Sequence, residues 1–333
     1  MSRWRDRRSP CAVQRPLLAL GLLASLMLGA PPSAAQTWPQ RTVKFLVPLG
    51  PGSGVDIGAR LLGDRLSTRW DQPVVVENRP GGDGIVAISA FVGAHDDHVL
   101  LATPTSSFTA HPYLHENLPY QPSDLLPIAR VSNTVITIAV PVSLNIGSLA
   151  ELVALTRARP GKLNWGGVTG ALDFLFAGFL KRQDLTMTKV PYRNPVEAAN
   201  DLAEGRVQMY MAALAIVRPQ LQTGKIKLLA VTNSVRAPAA PAVPTVKEAG
   251  YPELTFDGLV GFFGPSGMPN ELRERIAADI RAVVEADPLI GDRLAATGQI
   301  LNVGGPAEFA QATEEQREKI AAIANDLGIK PMQ

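Results

Sequence analysis

The sequence predicts an α/β protein with two domains, and three observations support this fold class. The chain has 333 residues, enough for two domains of roughly 100–200 residues each. Strands alternate with helices over the first hundred residues after the N-terminal segment, which predicts a mostly parallel sheet. A unit of buried strand, glycine-rich turn and helix begins at Val43, and an analogous unit begins at Lys162.

The N-terminal segment, residues 1–35, has the pattern of a secretory signal peptide. A basic region with five arginines precedes an apolar run over residues 17–30, and small residues before Gln36 place the predicted cleavage after Ala35. The apolar run is shorter than the roughly 20 residues that span a bilayer, although a retained anchor is the alternative. We therefore expect a soluble periplasmic protein that starts at Gln36.

Charge and cysteine content narrow the class of function. The whole chain has a formal charge of +2, and residues 1–35 carry five arginines and one aspartate, so the mature chain has a charge of −2. The basic character belongs to the signal peptide, and no nucleic-acid partner is expected. The single cysteine, Cys11, leaves with the signal peptide, so the mature protein has no disulfide.

The first unit of the mature chain predicts an anion site. Residues 43–47 form an apolar strand, the turn contains Gly50, Gly52 and Gly54, and residues 57–69 alternate apolar and charged side chains at helical spacing. A glycine turn at a helix N-terminus presents main-chain amides to an anion. A turn without a ligand is the alternative. The spacing matches neither the dinucleotide and phosphate-loop fingerprints nor the nucleophile elbow of hydrolases.

The remaining elements follow from apolar runs and from the proline and glycine positions that end them. Residues 131–140 are expected to be one strand that passes between the domains, and residues 111–127, with four prolines, a surface crossing. Further strands are predicted at 73–78, 99–103, 162–168, 190–194, 207–214, 226–232 and 259–263, helices at 85–93, 149–158, 171–181 and 195–204, and a helix-rich region at 270–328 with breaks near 287–288 and 304–306.

The chemistry-bearing residues favour binding over catalysis. His111 and His115 have a four-residue spacing, but Pro112 and Pro119 argue against a helix there, so no metal site is predicted. The mature chain has no cysteine and no His-Glu-x-x-His helix, so it has no evident nucleophilic or zinc-dependent centre. We expect a binding protein without a cofactor rather than an enzyme.

Several runs together resemble the tripartite tricarboxylate transporter substrate-binding proteins, also called the Bug family of periplasmic receptors. They cover nearly the whole mature chain in the family's order. The runs are residues 48–56 (PLGPGSGVD) with 59–60, 75–82 (VVENRPGG), 120–122 (YQP), 190–193 (VPYR), 201–207 (DLAEGRV), 229–232 (LAVT) and 243–252 (VPTVKEAGYP).

The resemblance implies a type II periplasmic-binding-protein fold, with two Rossmann-like lobes joined by two crossover strands. The first lobe would hold residues 36–140 and 258–333, and the second residues 141–257. The implied function is capture of a small organic carboxylate, or a related amino or aromatic acid, between the lobes for delivery to the membrane permease subunits of a tripartite tricarboxylate transporter. A monomer is expected. A periplasmic sensor for a signalling kinase and a secreted hydrolase are the alternatives.

The resemblance also implies a set of ligand-binding residues. These are Leu49, Gly52, Ser53, Gly54, Asp56, Thr105, Ser106, Val168, Thr169, Gly170, Asp173, Tyr192 and Asn194. Asp56 has an alternative interpretation as a helix cap, and Tyr192 as a core ring with a satisfied hydroxyl. Asp173 departs from the family, which commonly has a histidine there. It either caps its helix and points away from the ligand, or recognises an amine or amide on the ligand.

Overall fold

The computed structural model describes Met1 and residues 38–168 and 170–332. Apart from Met1, the predicted signal peptide lies outside the described residues, as does Thr169. The chain divides into Met1–Gln40 and the compact unit Arg41–Gln333, and all elements below belong to the second unit. None of the helices in the described part combines the length and apolarity needed to cross a membrane.

The described residues of the compact unit form eleven strands in two sheets. The strands are β1 (Val43–Val47), β2 (Val74–Asn78), β3 (Val99–Pro104), β4 (Leu125–Thr134), β5 (Ile136–Pro141), β6 (Asn164–Val168), β7 (Thr188–Tyr192), β8 (Met209–Ala213), β9 (Ile226–Val231), β10 (Gly258–Pro265) and β11 (Gln299–Gly304). The six-stranded sheet has the order β11-β4-β10-β3-β1-β2, and the five-stranded sheet β7-β6-β8-β5-β9. Each sheet with its packed helices is one lobe.

Ten α-helices are found in the same described residues. They are α1 (Gly54–Trp70), α2 (Ile85–Ala94), α3 (Ser106–Thr109), α4 (Leu149–Ala158), α5 (Ala171–Arg182), α6 (Pro195–Ala203), α7 (Leu214–Gln222), α8 (Asn270–Ala286), α9 (Leu289–Ala296) and α10 (Pro306–Leu327). The α/β class is therefore confirmed. Strand β11 and helix α7 were not predicted, because β11 is a short strand inside a helix-rich region and α7 follows β8 without a loop.

The expected parallel pairing holds for the strands nearest the first glycine turn. Strand β1 is paired in parallel with both β2 and β3. Val43, Phe45 and Val47 are fully buried, as an interior strand requires, while Lys44 is exposed and forms an ion pair with Glu77. The rest of this sheet, β4, β10 and β11, is antiparallel, so the sheet is mixed.

The chain changes sheet at Val135, within the run predicted as one strand over residues 131–140. The Val135 N–H donates to Gly298 O and its carbonyl accepts from Leu214 N, so Val135 is bonded to an element of each lobe. The second connection, residues 232–257, runs from β9 to β10. Asn233 joins the two connections, because its amide accepts from Ile136 N at 3.0 Å and donates to Thr134 O at 3.0 Å.

The C-terminal helix α10 contributes to the cores of both lobes. Phe309, near its start, belongs to the apolar cluster of the first lobe with Phe263. Ile320 and Ile323, one to two turns before its end, belong to the second-lobe cluster that contains α5. A Cβ at Gly178 of α5 would lie 2.7 Å from Ile323 Cγ2, so this glycine permits the close approach of α5 and α10.

Candidate functional site

Two adjoining cavities lie between the lobes and share five lining residues. The Asp83 cavity, of about 250 Å³, is lined by Leu49, Asp83, Ser106, Ser107, Val168, Gly170, Ala171, Leu172, Pro195, Tyr210, Met211, Ala212, Ala213 and Ile216. The Gln299 cavity, of about 260 Å³, is lined by Leu49, Ser53, Gly54, Val55, Pro104, Ser106, Thr134, Ile136, Leu172, Ala213, Ala215, Ile216, Phe256, Gly258 and Gln299.

The first glycine turn places the N-terminus of α1 at the Gln299 cavity. Ser53 is the N-cap residue, and its Oγ accepts from Asp56 N at 3.2 Å. Gly54 and Val55, in the first turn of the helix, line the cavity. Their N–H groups have no intrahelical acceptor, as in the first turn of any α-helix. They are therefore donors available to an anion.

Asp56 was expected to contact the ligand, but its carboxylate instead stabilises the glycine turn through hydrogen bonds on the side away from the two cavities. Its carboxylate is 2% exposed and accepts from Gly52 N at 2.9 Å, Asn78 Nδ2 at 2.8 Å and Arg60 Nε at 3.0 Å. Burial raises its pKa, but the hydrogen bonds from these three donors outweigh burial and hold the pKa below 3.8. Neither Asp56 nor Gly52 lines a cavity, and the Gly52 amide is already engaged. The positive φ of Gly52, 83°, suits the turn to glycine.

The second glycine turn brings the N-terminus of α5 to the Asp83 cavity, opposite the first lobe. Val168 and Gly170 line this cavity, and Gly170 has a φ of 140°, a conformation that favours glycine. Ala171 and Leu172, the first residues of α5, also line it. By helix geometry their N–H groups have no intrahelical acceptor. Thr169 was expected here but lies outside the described residues.

Asp173 lies one residue beyond this lining. It is 8% exposed, does not line either cavity, and forms an ion pair with Lys189, whose ammonium group is also 5.5 Å from the Trp165 ring centre. Burial raises the pKa of the Asp173 carboxyl, and Lys189 only partly opposes this. Lys189 thus compensates the charge of Asp173, and the carboxylate is directed to this lysine.

Of the other expected residues, Ser106 lines both cavities, and the neighbouring Ser107 lines the Asp83 cavity. Thr105 is fully buried, and its hydroxyl donates to Gln316 Oε1 at 2.5 Å, so it connects the β3–α3 junction to α10. Tyr192 donates to Asp201 Oδ2 at 2.6 Å, and burial together with this bond raises the pKa of Tyr192 to about 12. Asn194 is exposed and caps α6. None of these last three residues lines a cavity.

Charge in the site is confined to one acidic residue. Asp83, in the turn between β2 and α2, is the only charged residue among the described residues that line either cavity. No lysine or arginine is among them, so a carboxylate here would be bound by neutral donors: the amides of α1 and α5 and the hydroxyls of Ser53 and Ser106. Most of the remaining lining is aliphatic, with Tyr210 and Phe256 as the aromatic residues.

Several lining residues could not be identified from the sequence. Ala213 and Ile216 line both cavities because α7 begins directly after β8, and no glycine marks this junction. Gln299 comes from β11, and its Oε1 accepts from Ser132 Oγ at 3.1 Å. Asp83 was the one residue with a local signal, since it stands in the Gly81-Gly82-Asp83-Gly84 turn after a predicted strand.

Comparison with known proteins gives a consistent result over most of the chain. A model of the tripartite tricarboxylate transporter family receptor matches residues 58–329. A UPF0065 protein of Bordetella bronchiseptica is 31% identical over 317 residues, which is 95% of this chain and 93% of that protein.

Solved structures give the same result for the fold. A periplasmic transporter structure has 27% identity and a TM-score of 0.76, and covers 88% of this chain and 99% of its own. An R. palustris protein with adipate has 27% identity and a TM-score of 0.75, and covers 89% of this chain and 100% of its own. The expected two-lobe periplasmic-binding fold is confirmed.

Proposed function

The chain belongs to the tripartite tricarboxylate transporter receptor family, a family of periplasmic solute-binding receptors, and on that premise we propose that its interlobe cleft binds a small organic carboxylate with an apolar remainder. The bound acid is passed unchanged to the permease subunits of such a transporter. The resemblance found in the sequence is thereby confirmed at the level of family and receptor function. The ligand-binding residues and the ligand's class are our proposal.

The observation that carries the proposal is the pair of helix N-termini at the cleft. The first turn of α1 comes from one lobe and the first turn of α5 from the other, and Leu49, Ser106 and Leu172 connect the two cavities. Desolvating a carboxylate is unfavourable unless several donors replace its water, and helix N-termini provide donors with a favourable dipole. Binding from both lobes would favour the closed arrangement, because only that arrangement brings both sets of donors to the ligand.

The apolar lining specifies the rest of the ligand. Val55, Ile136, Leu172, Ile216 and Phe256 line the Gln299 cavity, and no lysine or arginine among the described lining residues could pair with a second carboxylate. A charged group placed there would lose its water without a counter-ion. We therefore propose a carboxylate that carries an aliphatic or aromatic group in the Gln299 cavity. By the same reasoning we do not expect a tricarboxylate to be the preferred ligand.

The family assignment supports three proposals about export, assembly and partner. We propose that residues 1–35 direct export, that the mature protein acts in the periplasm as a monomer, and that its partner is a membrane permease. The family is a receptor family, and we propose that this chain has no catalytic role. Turnover of a bound acid would instead support the hydrolase alternative, and co-purification with a kinase rather than a permease would support the sensor alternative.

A binding screen tests the proposal. The purified protein is titrated by calorimetry with straight-chain monocarboxylates of increasing length, with aromatic acids, with citrate and with the methyl ester of each bound acid. We expect binding of the monocarboxylates, loss of binding in the esters and no binding of citrate. At 100 times its dissociation constant, a bound acid adds about 2.7 kcal/mol to the free energy of unfolding.

Site variants make the screen specific to the cleft. Ser106→Ala removes a hydroxyl from both cavities and should weaken binding about 10- to 100-fold, the usual effect of one lost hydrogen bond to a charged group. Ser266→Ala, in an exposed turn away from the two cavities, is the matched control. If none of the acids in the panel binds, the carboxylate proposal is contradicted. Preferential binding of citrate would contradict only the apolar remainder.

A further inference from the structure

Three potential metal-ligating side chains converge beside the cleft. The ligand atoms of Asp83, His111 and His115 all lie within 4.8 Å of one another. The centroids of the two imidazole rings are 5.2 Å apart, and the rings are arranged edge to face. The prediction that Pro112 and Pro119 prevent a helix at His111 and His115 was wrong, because the prolines do not prevent a helical turn there. Residues His111–Tyr113 form a 3-10 helix, and His115 N donates to His111 O at 3.0 Å.

His111 is held in a fixed orientation beside Asp83. It is fully buried, its Nδ1 is hydrogen-bonded to the Tyr120 hydroxyl, and its Nε2 is hydrogen-bonded to the Asp83 carbonyl oxygen at 3.1 Å and lies 3.4 Å from the Asp83 carboxylate Oδ2. A carbonyl oxygen only accepts, so Nε2 carries the proton in this arrangement. To bind a metal, His111 would carry its proton on Nδ1 instead, where the Tyr120 oxygen can accept it, and Nε2 would exchange its hydrogen bond for the metal. Tyr120 is itself 5% exposed, so the orientation is determined by the core.

His115 independently indicates that a ligand binds at this group of side chains. Its Nε2 is buried and has no hydrogen-bond partner among the described residues. Buried polar atoms in native proteins are nearly always paired, so an unpaired ring nitrogen beside a second histidine and a carboxylate calls for a ligand. The other His/Asp group in the described residues differs in this respect: in Asp96, Asp97 and His98, the ring Nδ1 lies 2.6 Å from the Asp97 carboxylate.

We propose that Asp83, His111 and His115 bind one divalent transition-metal ion of the zinc class. Two imidazole nitrogens and one carboxylate oxygen match the donor preferences of Zn²⁺ and exclude Mg²⁺ and Ca²⁺, which prefer oxygen donors. The ligand atoms would have to contract to bond lengths of about 2.0–2.2 Å. Asp83, one-third exposed and in a turn, is the ligand free to move.

The position of Asp83 gives the metal a role at the cleft. Asp83 lines the Asp83 cavity, where an uncompensated carboxylate would repel an acidic ligand. A cation held by Asp83, His111 and His115 would neutralise this carboxylate, so that it would no longer repel an acidic ligand in the cavity. The metal proposal itself does not depend on the carboxylate proposal, since the three ligands are assembled without a bound acid.

Metal titration tests the site directly. The protein is purified without a polyhistidine tag, treated with a chelator, and titrated with Zn²⁺ alone by calorimetry, with metal content measured by mass spectrometry after dialysis. We expect one equivalent per chain. Saturable binding should be lost in His115→Ala and Asp83→Asn, and Tyr120→Phe should weaken it about 10- to 100-fold by releasing the orientation of His111. His95→Asn, at an exposed histidine outside the group, should bind like the wild type.

The outcomes separate a metal site from a structural role. Circular dichroism of metal-free His115→Ala should match that of the wild type, because this side chain has no hydrogen bond at Nε2 to lose. Equal Zn²⁺ affinity in wild type and His115→Ala would overturn the proposal, as would the absence of binding to the wild type below millimolar Zn²⁺. Carboxylate binding by a protein that does not bind Zn²⁺ would overturn this proposal alone.

Discussion

Replacement of Asp56 by alanine should destabilise the first lobe by about 2–3 kcal/mol. The substitution removes three hydrogen bonds to a buried carboxylate, from Gly52 N, Asn78 Nδ2 and Arg60 Nε. The guanidinium of Arg60 is 48% exposed and can return to water, so we count only the other two bonds. Hydrogen bonds to charged groups contribute about 1.5–3 kcal/mol each, and the loss is partly offset because a buried charge no longer has to be desolvated.

The pH dependence identifies the carboxylate as the source of this effect. The folded-state pKa of Asp56 is below 3.8, so its contribution is fully present above that pH and declines as the pH falls through the folded-state value. We therefore expect the difference in unfolding free energy between wild type and Asp56→Ala to be constant from pH 7 to pH 5. It should shrink below pH 4.

Urea unfolding followed by tryptophan fluorescence and circular dichroism measures the difference. Asp64→Asn is the matched control, because Asp64 lies on the same helix with a side chain that is 78% exposed, and it should change the unfolding free energy by less than about 0.5 kcal/mol. A loss of under about 1 kcal/mol in Asp56→Ala would refute the reasoning. So would a loss of the same size at pH 3 and pH 7.

Three further predictions concern the connections between the lobes, the cleft, and the ion pair of Asp173 and Lys189. Asn233→Ala should lower the unfolding free energy by about 2–3 kcal/mol, because it removes the partner of Ile136 N and of Thr134 O. It should also broaden the distribution of interlobe distances measured by electron spin resonance. Unchanged distances would contradict the role of Asn233 in joining the two connections. Ile216→Phe should weaken binding of a carboxylate at least about tenfold with little loss of stability, since the side chain lines both cavities; calorimetry with unchanged affinity would contradict this. Lys189→Met should cost about 2–3 kcal/mol at pH 7 by leaving the Asp173 carboxylate unpaired. The pKa of Asp173 is raised, so its ionised form opposes folding. The loss of unfolding free energy in Lys189→Met should therefore become smaller when urea unfolding is repeated at lower pH, toward pH 4. A larger loss at pH 4 would contradict this.

The sequence predicted those parts of the fold that local pattern determines. Strand β1 and helix α4 were predicted with the observed bounds, because an apolar run and a helical period with proline or glycine at its end leave little ambiguity. The change of sheet at Val135 could not be predicted in this way. It depends on hydrogen bonds to Gly298 and Leu214, residues distant in the sequence, which no local pattern records.

The same distinction applies to the candidate site. Ser53 and Gly54 were identified because a glycine turn before a helix is visible in the sequence, and the structure places both at a cavity. Asp56 stands at the third helical position, where local spacing allows either a cap or a ligand contact, and its direction is decided by Asn78 on a neighbouring strand. Gln299 reaches the cleft only because β11 pairs with β4, a long-range contact.

The placement of α10 constrains how the cleft can close. The two connections alone, at Val135 and over residues 232–257, would leave the lobes free to bend and to twist about the line that joins them. Phe309 anchors the helix in one core and Ile323 in the other, and between them Gln316 is bonded to Thr105 and to the carbonyl of Asp257 at the second connection. This third attachment restrains the movement of one lobe relative to the other. Closure of the cleft would have to keep both ends of α10 packed in their cores, which limits the relative positions that the two lobes can take.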